Sequence, residues 1–371
     1  MGNFNLEFGE ERRKPVITFF DLIQDNDFRA FVEKRLIREV KNSTYLFPKV
    51  FPKLYKYRPM SKFAVDDILN GRITATSIGE FNDLFDGAIH YCGTNKEISH
   101  FAEEKWMELE KICTAARLPN LLLEHDSFVS MYSEHLKTES KLKFRNLDYL
   151  GTYVCCLSSK YDSTLMWAHY ANSNTGICLE YDFNDEKIKP LLKKMLFPIA
   201  YSQKPVDLRD LLSDDSCQKY KYSFDSAVLC AALNKAMTWN YEYEWRLVYI
   251  SPVSNNYQRR LSLELSSAPK SIALGYHFLK LFFYYNYKNQ KEYDLAKEHL
   301  VDMMRLLGYM KTNQIPVVIM APSIGNYSLI RKNVDIDSLI QLINCYFEGN
   351  EPEDMQYYYV VHDELMNLLE G

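Results

Sequence analysis

The sequence predicts an α+β fold: a twisted, mostly antiparallel, split sheet with flanking helices and a helical insert. Three observations carry this. Short runs rich in aromatic and β-branched residues recur along the chain and are separated by helical stretches rather than by strict β-α alternation. A strand, a helix, Asn-Gly and a second strand form a compact opening unit at 53–77. Aromatic residues make up 14% of the chain, with 28 Tyr and 21 Phe against 13 Gly, which favours β-rich cores and stacking surfaces over glycine-lined phosphate loops.

The elements follow in order. Residues 16–41 read as an amphipathic helix within an N-terminal helical segment at 1–50. Pro48 and Pro52 then lead into the strand Lys53-Leu-Tyr-Lys-Tyr-Arg58, which Pro59 ends. Ser61 is placed to cap a helix whose apolar positions are Phe63, Val65, Ile68 and Leu69. Asn70-Gly71 stops it, and Arg72–Ser77 is the next strand. Residues 95–147 read as a helical insert of two charged helices around Pro119. Strands at 151–158 and 176–182 flank a short helix at 164–170, and another strand begins at Pro198. A long helix at 217–238 is expected to deliver the chain into a strand at 240–250, followed by a strand at 271–275, a helix at 290–308 and a strand at 315–320. These elements form one α+β domain over 51–330, with a helical, Tyr-rich tail over 331–371.

With 371 residues, 47% hydrophobic and 25% charged, the chain has a globular composition. A net charge of -5 gives no sign of a broad nucleic-acid footprint. The eight cysteines form no Cys-x-x-Cys pair and sit mostly in apolar runs, which suits reduced thiols and a cytoplasmic location. No secretory signal or membrane-spanning run is visible. Nor is there a P-loop, a Gly-x-Ser-x-Gly elbow or a dinucleotide-binding glycine pattern.

Asn240-Tyr-Glu-Tyr-Glu-Trp-Arg246 is the most informative stretch. In a strand, Glu242, Glu244 and Arg246 would share one face and Tyr241, Tyr243 and Trp245 the other. Two carboxylates so close repel unless a cation, metal or ligand lies between them. Three further pieces are polar where a core would be apolar: Tyr57-Arg58, Thr76-Ser77 with Phe81-Asn-Asp83 and Phe85-Asp86, and Met166-Trp-Ala-His-Tyr170. Arg58, Asn82, Asp83, His169, Tyr170 and Glu244 are expected to line one pocket, with His169 and Tyr170 as a general base or proton-sharing pair and Trp167 as a stacking surface. Each has a structural reading too: Arg58 as an ion-pair partner of Asp83, Asp86 or Glu244, Ser77 as a strand-end residue, Trp167 as core.

Taken in chain order, with Tyr-Glu244-Trp-Arg246 last, the four blocks resemble those of the bacterial domain-of-unknown-function 2971 family, and Ile272-Ala-Leu-Gly275 is similar to its later block. Leu84 departs from the proline that usually follows the family's Asn-Asp. The layout in turn resembles the ADP-ribosyltransferase fold. That resemblance implies NAD as substrate with no metal, Arg58 on the pyrophosphate, Ser77 near the nicotinamide, Glu244 as catalytic glutamate and Glu242 directing the acceptor. It also implies a toxin or phage-defence role, with a protein or nucleic-acid acceptor left open. One alternative is a metal-dependent nuclease in which Glu180, Asp182, Glu244 and His169 hold Mg²⁺. Another is a non-catalytic sensor or partner-binding module that docks through its insert and the Tyr357–Val361 tail.

Overall fold

The computed structural model describes residues 51–83, 85–90, scattered positions between 95 and 114, 124–139, 151–207, 229–250, 259–282, 290–347 and 355–370. The helix expected at 16–41 lies outside the described residues. In chain order the elements are β1 (Lys53–Arg58), α1 (Lys62–Leu69), β2 (Arg72–Ser77), β3 (Ile89–His90), α2 (His125–Glu139), β4 (Thr152–Ser158), α3 (Thr164–Tyr170), β5 (Ile177–Asp182) and α4 (Pro190–Lys194). There follow β6 (Leu196–Pro198), β7 (Ala200–Ser202), β8 (Val206–Asp207), β9 (Asn234–Ala236), β10 (Glu244–Ile250), β11 (Arg260–Glu264) and β12 (Ser271–Leu274). The last are α5 (Gln290–Thr312), β13 (Val317–Pro322), β14 (Leu329–Asn333), α6 (Ile336–Phe347) and α7 (Met355–Glu370).

Ten strands form one open α+β sheet in the order β11-β2-β4-β1-β5-β12-β13-β14, with β10 on β4 and β6 on β10. Its pairings are antiparallel except β12 with β13. Period-2 alternation divides the apolar residues between its faces. Leu54, Leu157, Leu179, Ile272 and Val317 join the larger core, shared with residues of α1, α5, α6 and α7. Tyr55, Tyr57, Cys178, Ala273 and Val318 join the smaller one, roofed by Met166 and Trp167 of α3.

The sheet is split at β4. Every residue of β4 pairs with β10, from Glu244↔Ser158 to Ile250↔Thr152. A strand has only two edges, so β2 at Tyr153 and Val154 and β1 at Ser158 must share the other one. Between those pairings β1 and β2 diverge. Asp67 of α1 ties them together, accepting from Arg58 Nη1 of β1 at 2.8 Å and from Thr74 Oγ1 of β2. Within the divergence Lys56 Nζ donates to the Cys156 carbonyl at 2.9 Å, replacing the ladder bond that an adjacent strand would have made.

Two expectations from sequence fail close to this split. The helix expected through 238 gives way at Asn234–Ala236, which pair in parallel with β7. The strand expected from 240 starts only at Glu244. Residues Met237–Glu242 form a 3₁₀ turn, and Tyr243 sits in the left-handed region at φ 46°. That residue reverses the alternation: Tyr243 is exposed and Trp245 buried, so they do not share a wall.

Candidate functional site

A cleft of about 190 Å³ opens along the split. One wall comes from β1 and β4 (Tyr57, Lys56, Cys156, Ser158) and the other from the loop after β2 (Phe81, Asn82). Tyr170 of α3 closes the top, while Lys235, Glu242 and Glu244 form the polar floor. The 3₁₀ turn delivers Glu242 there although it is not on the strand, and Ser158 Oγ clamps that turn by donating to the Glu242 carbonyl at 2.6 Å.

The floor is a buried ion network. Arg246 has no exposed surface and spends all five of its N–H donors. Nη1 and Nη2 each bond one Asp86 oxygen at 2.6 Å. Nε and Nη2 hold the two Glu244 oxygens at 2.8 and 3.1 Å, and the second Nη1 hydrogen goes to the Ala232 carbonyl at 2.6 Å. Lys235 is the other cation, at 2.5 Å from Glu242 Oε2, 3.0 Å from Glu244 Oε2 and 3.8 Å from Asp86 Oδ2. Tyr170 donates its hydroxyl to Glu242 Oε1 at 2.5 Å.

These contacts drive the two glutamates apart. Burial pushes against both, but for Glu244 the attraction of Arg246 and Lys235 outweighs it and lowers the carboxyl to about 2. For Glu242 burial wins, helped by the Glu244 charge, and its pKa is raised above the ordinary value despite Lys235. Burial raises the Tyr170 hydroxyl strongly, and the neighbouring Glu242 carboxylate adds to that, so Tyr170 stays protonated and donates to Glu242.

The cleft thus gathers Glu242, Glu244, Tyr170, Tyr57 and Asn82. His169 is exposed at its rim, 6.4 Å between ring centres from Tyr170 and 6.3 Å from Tyr241. Asp83 caps its own loop instead, Oδ1 accepting from the Phe85 N–H at 2.9 Å. Trp167 is no stacking platform: it is fully buried, its indole N–H bonds the Tyr161 carbonyl at 2.8 Å, and it meets Tyr57 edge-on at 5.3 Å. Arg58 and Ser77 are also misplaced for the roles expected of them. Neither lines the cleft: Arg58 is committed to Asp67, and Ser77 is buried.

The carboxylates of the nuclease alternative do not converge. Glu244, Ser158, Tyr55 and Glu180 occupy one row across β10, β4, β1 and β5. Three strand spacings separate the first from the last, about 14 Å. Glu180 is held by Lys53 at 2.7 Å and Arg331 at 3.0 Å, and Asp182 accepts from the Asn184 N–H at 2.9 Å.

Sequence reasoning missed Lys235 and did not give Asp86 its role as the clamp on Arg246. A signal existed for Lys235: it follows the apolar run Leu229-Cys-Ala-Ala-Leu233 with only Asn234 between, and a lysine so close to a buried run must find partners or leave the core.

The segment from α3 through the Glu-x-Glu turn to β10 carries both the cleft's roof and its floor. Residues 166–247 match the family DUF2971, described as a protein of unknown function. The DUF2971 match therefore holds Tyr170, Lys235, Glu242, Glu244 and Arg246, whereas Asp86 and the β1–β2 wall lie outside it. No curated protein and no solved structure matches the chain. No helix among the described residues is long and apolar enough to cross a membrane.

Proposed function

We propose that the cleft transfers or hydrolyses ADP-ribose from NAD. One observation carries this reading: two carboxyls two positions apart meet the same cleft, one held ionised and the other pushed toward protonation. A pair of carboxyls driven apart by their surroundings is the arrangement that divides charge stabilisation from proton transfer at a glycosidic carbon. The C1′–N bond of the nicotinamide riboside breaks, and its electron pair neutralises the departing pyridinium. Glu244 is the fixed negative charge facing the oxocarbenium-like centre. A water or acceptor hydroxyl bonds to C1′ and gives its proton to Glu242, which Tyr170 orients. The cleft is smaller than the roughly 300–1,000 Å³ of pockets for drug-sized ligands, so it takes the nicotinamide half of NAD, with the adenylate at the mouth.

A second reading, a non-catalytic NAD-binding module, is favoured by the complete engagement of both Glu244 oxygens with Arg246 and Lys235. Thermal shift with NAD and chromatographic detection of free nicotinamide distinguish the readings. Stabilisation with nicotinamide release supports the enzyme, and stabilisation without release supports the module. Neither effect, with Mg²⁺-dependent cleavage of added DNA or RNA, overturns both in favour of a nuclease.

A further inference from the structure

Arg246 has no donor left for Glu242, since its five N–H groups go to Asp86, Glu244 and the Ala232 carbonyl. The ammonium of Lys235 is therefore the cation that touches Glu242, at 2.5 Å, and its position is over-determined. Its backbone is fixed by the parallel β7–β9 pairing, Tyr201↔Lys235. Its side chain is 6% exposed, and Nζ lies 5.1 Å from the centre of the Trp239 ring. The two Glu242 oxygens thus have different neighbours, a cation on Oε2 and the neutral Tyr170 hydroxyl on Oε1. A carboxylate gripped at one oxygen by a cation and at the other by a hydroxyl has one orientation.

We infer that Lys235 is the positioning residue of the cleft, holding Glu242 ionised and aimed at the acceptor so that it takes a proton only when the acceptor arrives. The inference rests on the proposed NAD chemistry for the identity of the reaction, but its electrostatic part stands on the geometry alone. The charged and titratable groups facing Glu242 are Tyr170 from α3, Tyr201 from β7, Tyr241 beside it in the turn, Lys235 from β9 and Glu244 from β10, with Arg246 and Asp86 behind Lys235 and Glu244. Without Lys235 the site would hold three acids against one cation, and burial would put a proton on Glu242.

The experiment has two readouts. Infrared difference spectroscopy of the ligand-free protein at pH 7, wild type against Glu242→Gln, reports whether Glu242 carries a proton. The expected difference shows a carboxylate and no protonated carboxyl. In Lys235→Met a protonated-carboxyl band should appear, and it should vanish in Lys235→Met/Glu242→Gln. The second readout is the pH profile of nicotinamide release from NAD. Losing a cation at this distance should move its acidic limb upward by about 1–3 pH units, with activity recovering at alkaline pH. A protonated Glu242 in the wild type overturns the inference, and that comparison does not require Lys235→Met to fold. A uniform loss of rate at every pH overturns it too and reduces Lys235 to a structural role. The expected infrared result without any turnover of NAD would leave the electrostatic role of Lys235 in place and refute the proposed reaction.

Discussion

Glu244→Gln and Glu242→Gln are near-isosteric changes two positions apart, yet they should differ sharply in their cost to stability. Both Glu244 oxygens accept from obligate donors: Oε1 from Arg246 Nε, and Oε2 from Lys235 Nζ and Arg246 Nη2. A glutamine in either orientation sets its amide N–H₂ against one of those donors. Arg246 and Lys235 hold the carboxyl well below its ordinary value, so its charge stabilises the native state. Breaking a buried pair from one side costs about 3–5 kcal/mol. Glu242 differs because Tyr170 can rotate its hydroxyl to accept from a glutamine N–H while the glutamine oxygen still faces Lys235. Its replacement should cost about 1 kcal/mol or less, while lowering NAD turnover by roughly 10²–10⁴-fold.

Urea denaturation of the three proteins at pH 7 measures this directly. The pH dependence supplies the sign. The Glu244 contribution is complete above its unfolded value of 4.5 and disappears as pH falls through about 2, so wild type should lose an advantage over Glu244→Gln across that window. Glu242 has a raised folded pKa, so its contribution is complete below 4.5 and fades as pH rises through the folded value. Glu242→Gln should therefore gain on wild type with rising pH. A Glu244→Gln protein within 1 kcal/mol of wild type at pH 7 would refute the network as the support of this site.

Other outcomes follow from the placement of single residues. Arg58→Ala should lower stability by about 1–3 kcal/mol through loss of its bond to Asp67, yet leave the NAD-induced thermal shift intact because it does not line the cleft. His169→Ala should change nicotinamide release less than Tyr170→Phe does, since only Tyr170 bonds Glu242. Gly176→Ala should prevent normal folding, visible as loss of the cooperative unfolding transition. Its Cβ would lie 2.3 Å from the Arg58 carbonyl and 2.9 Å from that of Ala171, and both are backbone atoms that cannot step aside.

The opening unit was legible because its signals are local. Ser61 accepts from the Ala64 N–H at 3.3 Å as an N-cap should, and Gly71 takes φ 61° after the helix. The Glu-x-Glu stretch was legible in composition and not in conformation. Alternation predicts which residues share a face only while the chain stays extended, and nothing local announces that Tyr243 turns left-handed. That turn is tertiary in origin: the Ser159 N–H bonds the Tyr243 carbonyl at 3.0 Å. Arg58 and Ser77 were misjudged for a related reason. Chain order says which strand a residue is on, but what its side chain reaches depends on register and tertiary partners, and Arg58 reaches Asp67 while Ser77 is buried. Asp86 meets Arg246 across 160 positions, a contact that no window of sequence can contain.

The floor of the cleft is an unusual place for five charged side chains if stability alone were at issue. Buried ion pairs replaced by apolar residues of similar volume are often as stable or more so, and the neighbouring core offers apolar partners such as Phe197, which pairs with Arg246 across the β6–β10 ladder. What apolar packing cannot do is set two carboxyls to opposite protonation tendencies within one cleft. Three acids and two cations do so by their connectivity: Arg246 is saturated by Asp86 and Glu244, and Lys235 is left to divide itself between Glu244 and Glu242. The acid with two cations stays ionised, and the acid with one, more exposed to the cost of burial, sits closer to taking a proton. The asymmetry between Glu242 and Glu244 thus follows from which donors each can reach: loss of Arg246 would take a cation from Glu244 and narrow it, whereas loss of Lys235 would leave Glu242 with no cation and widen it.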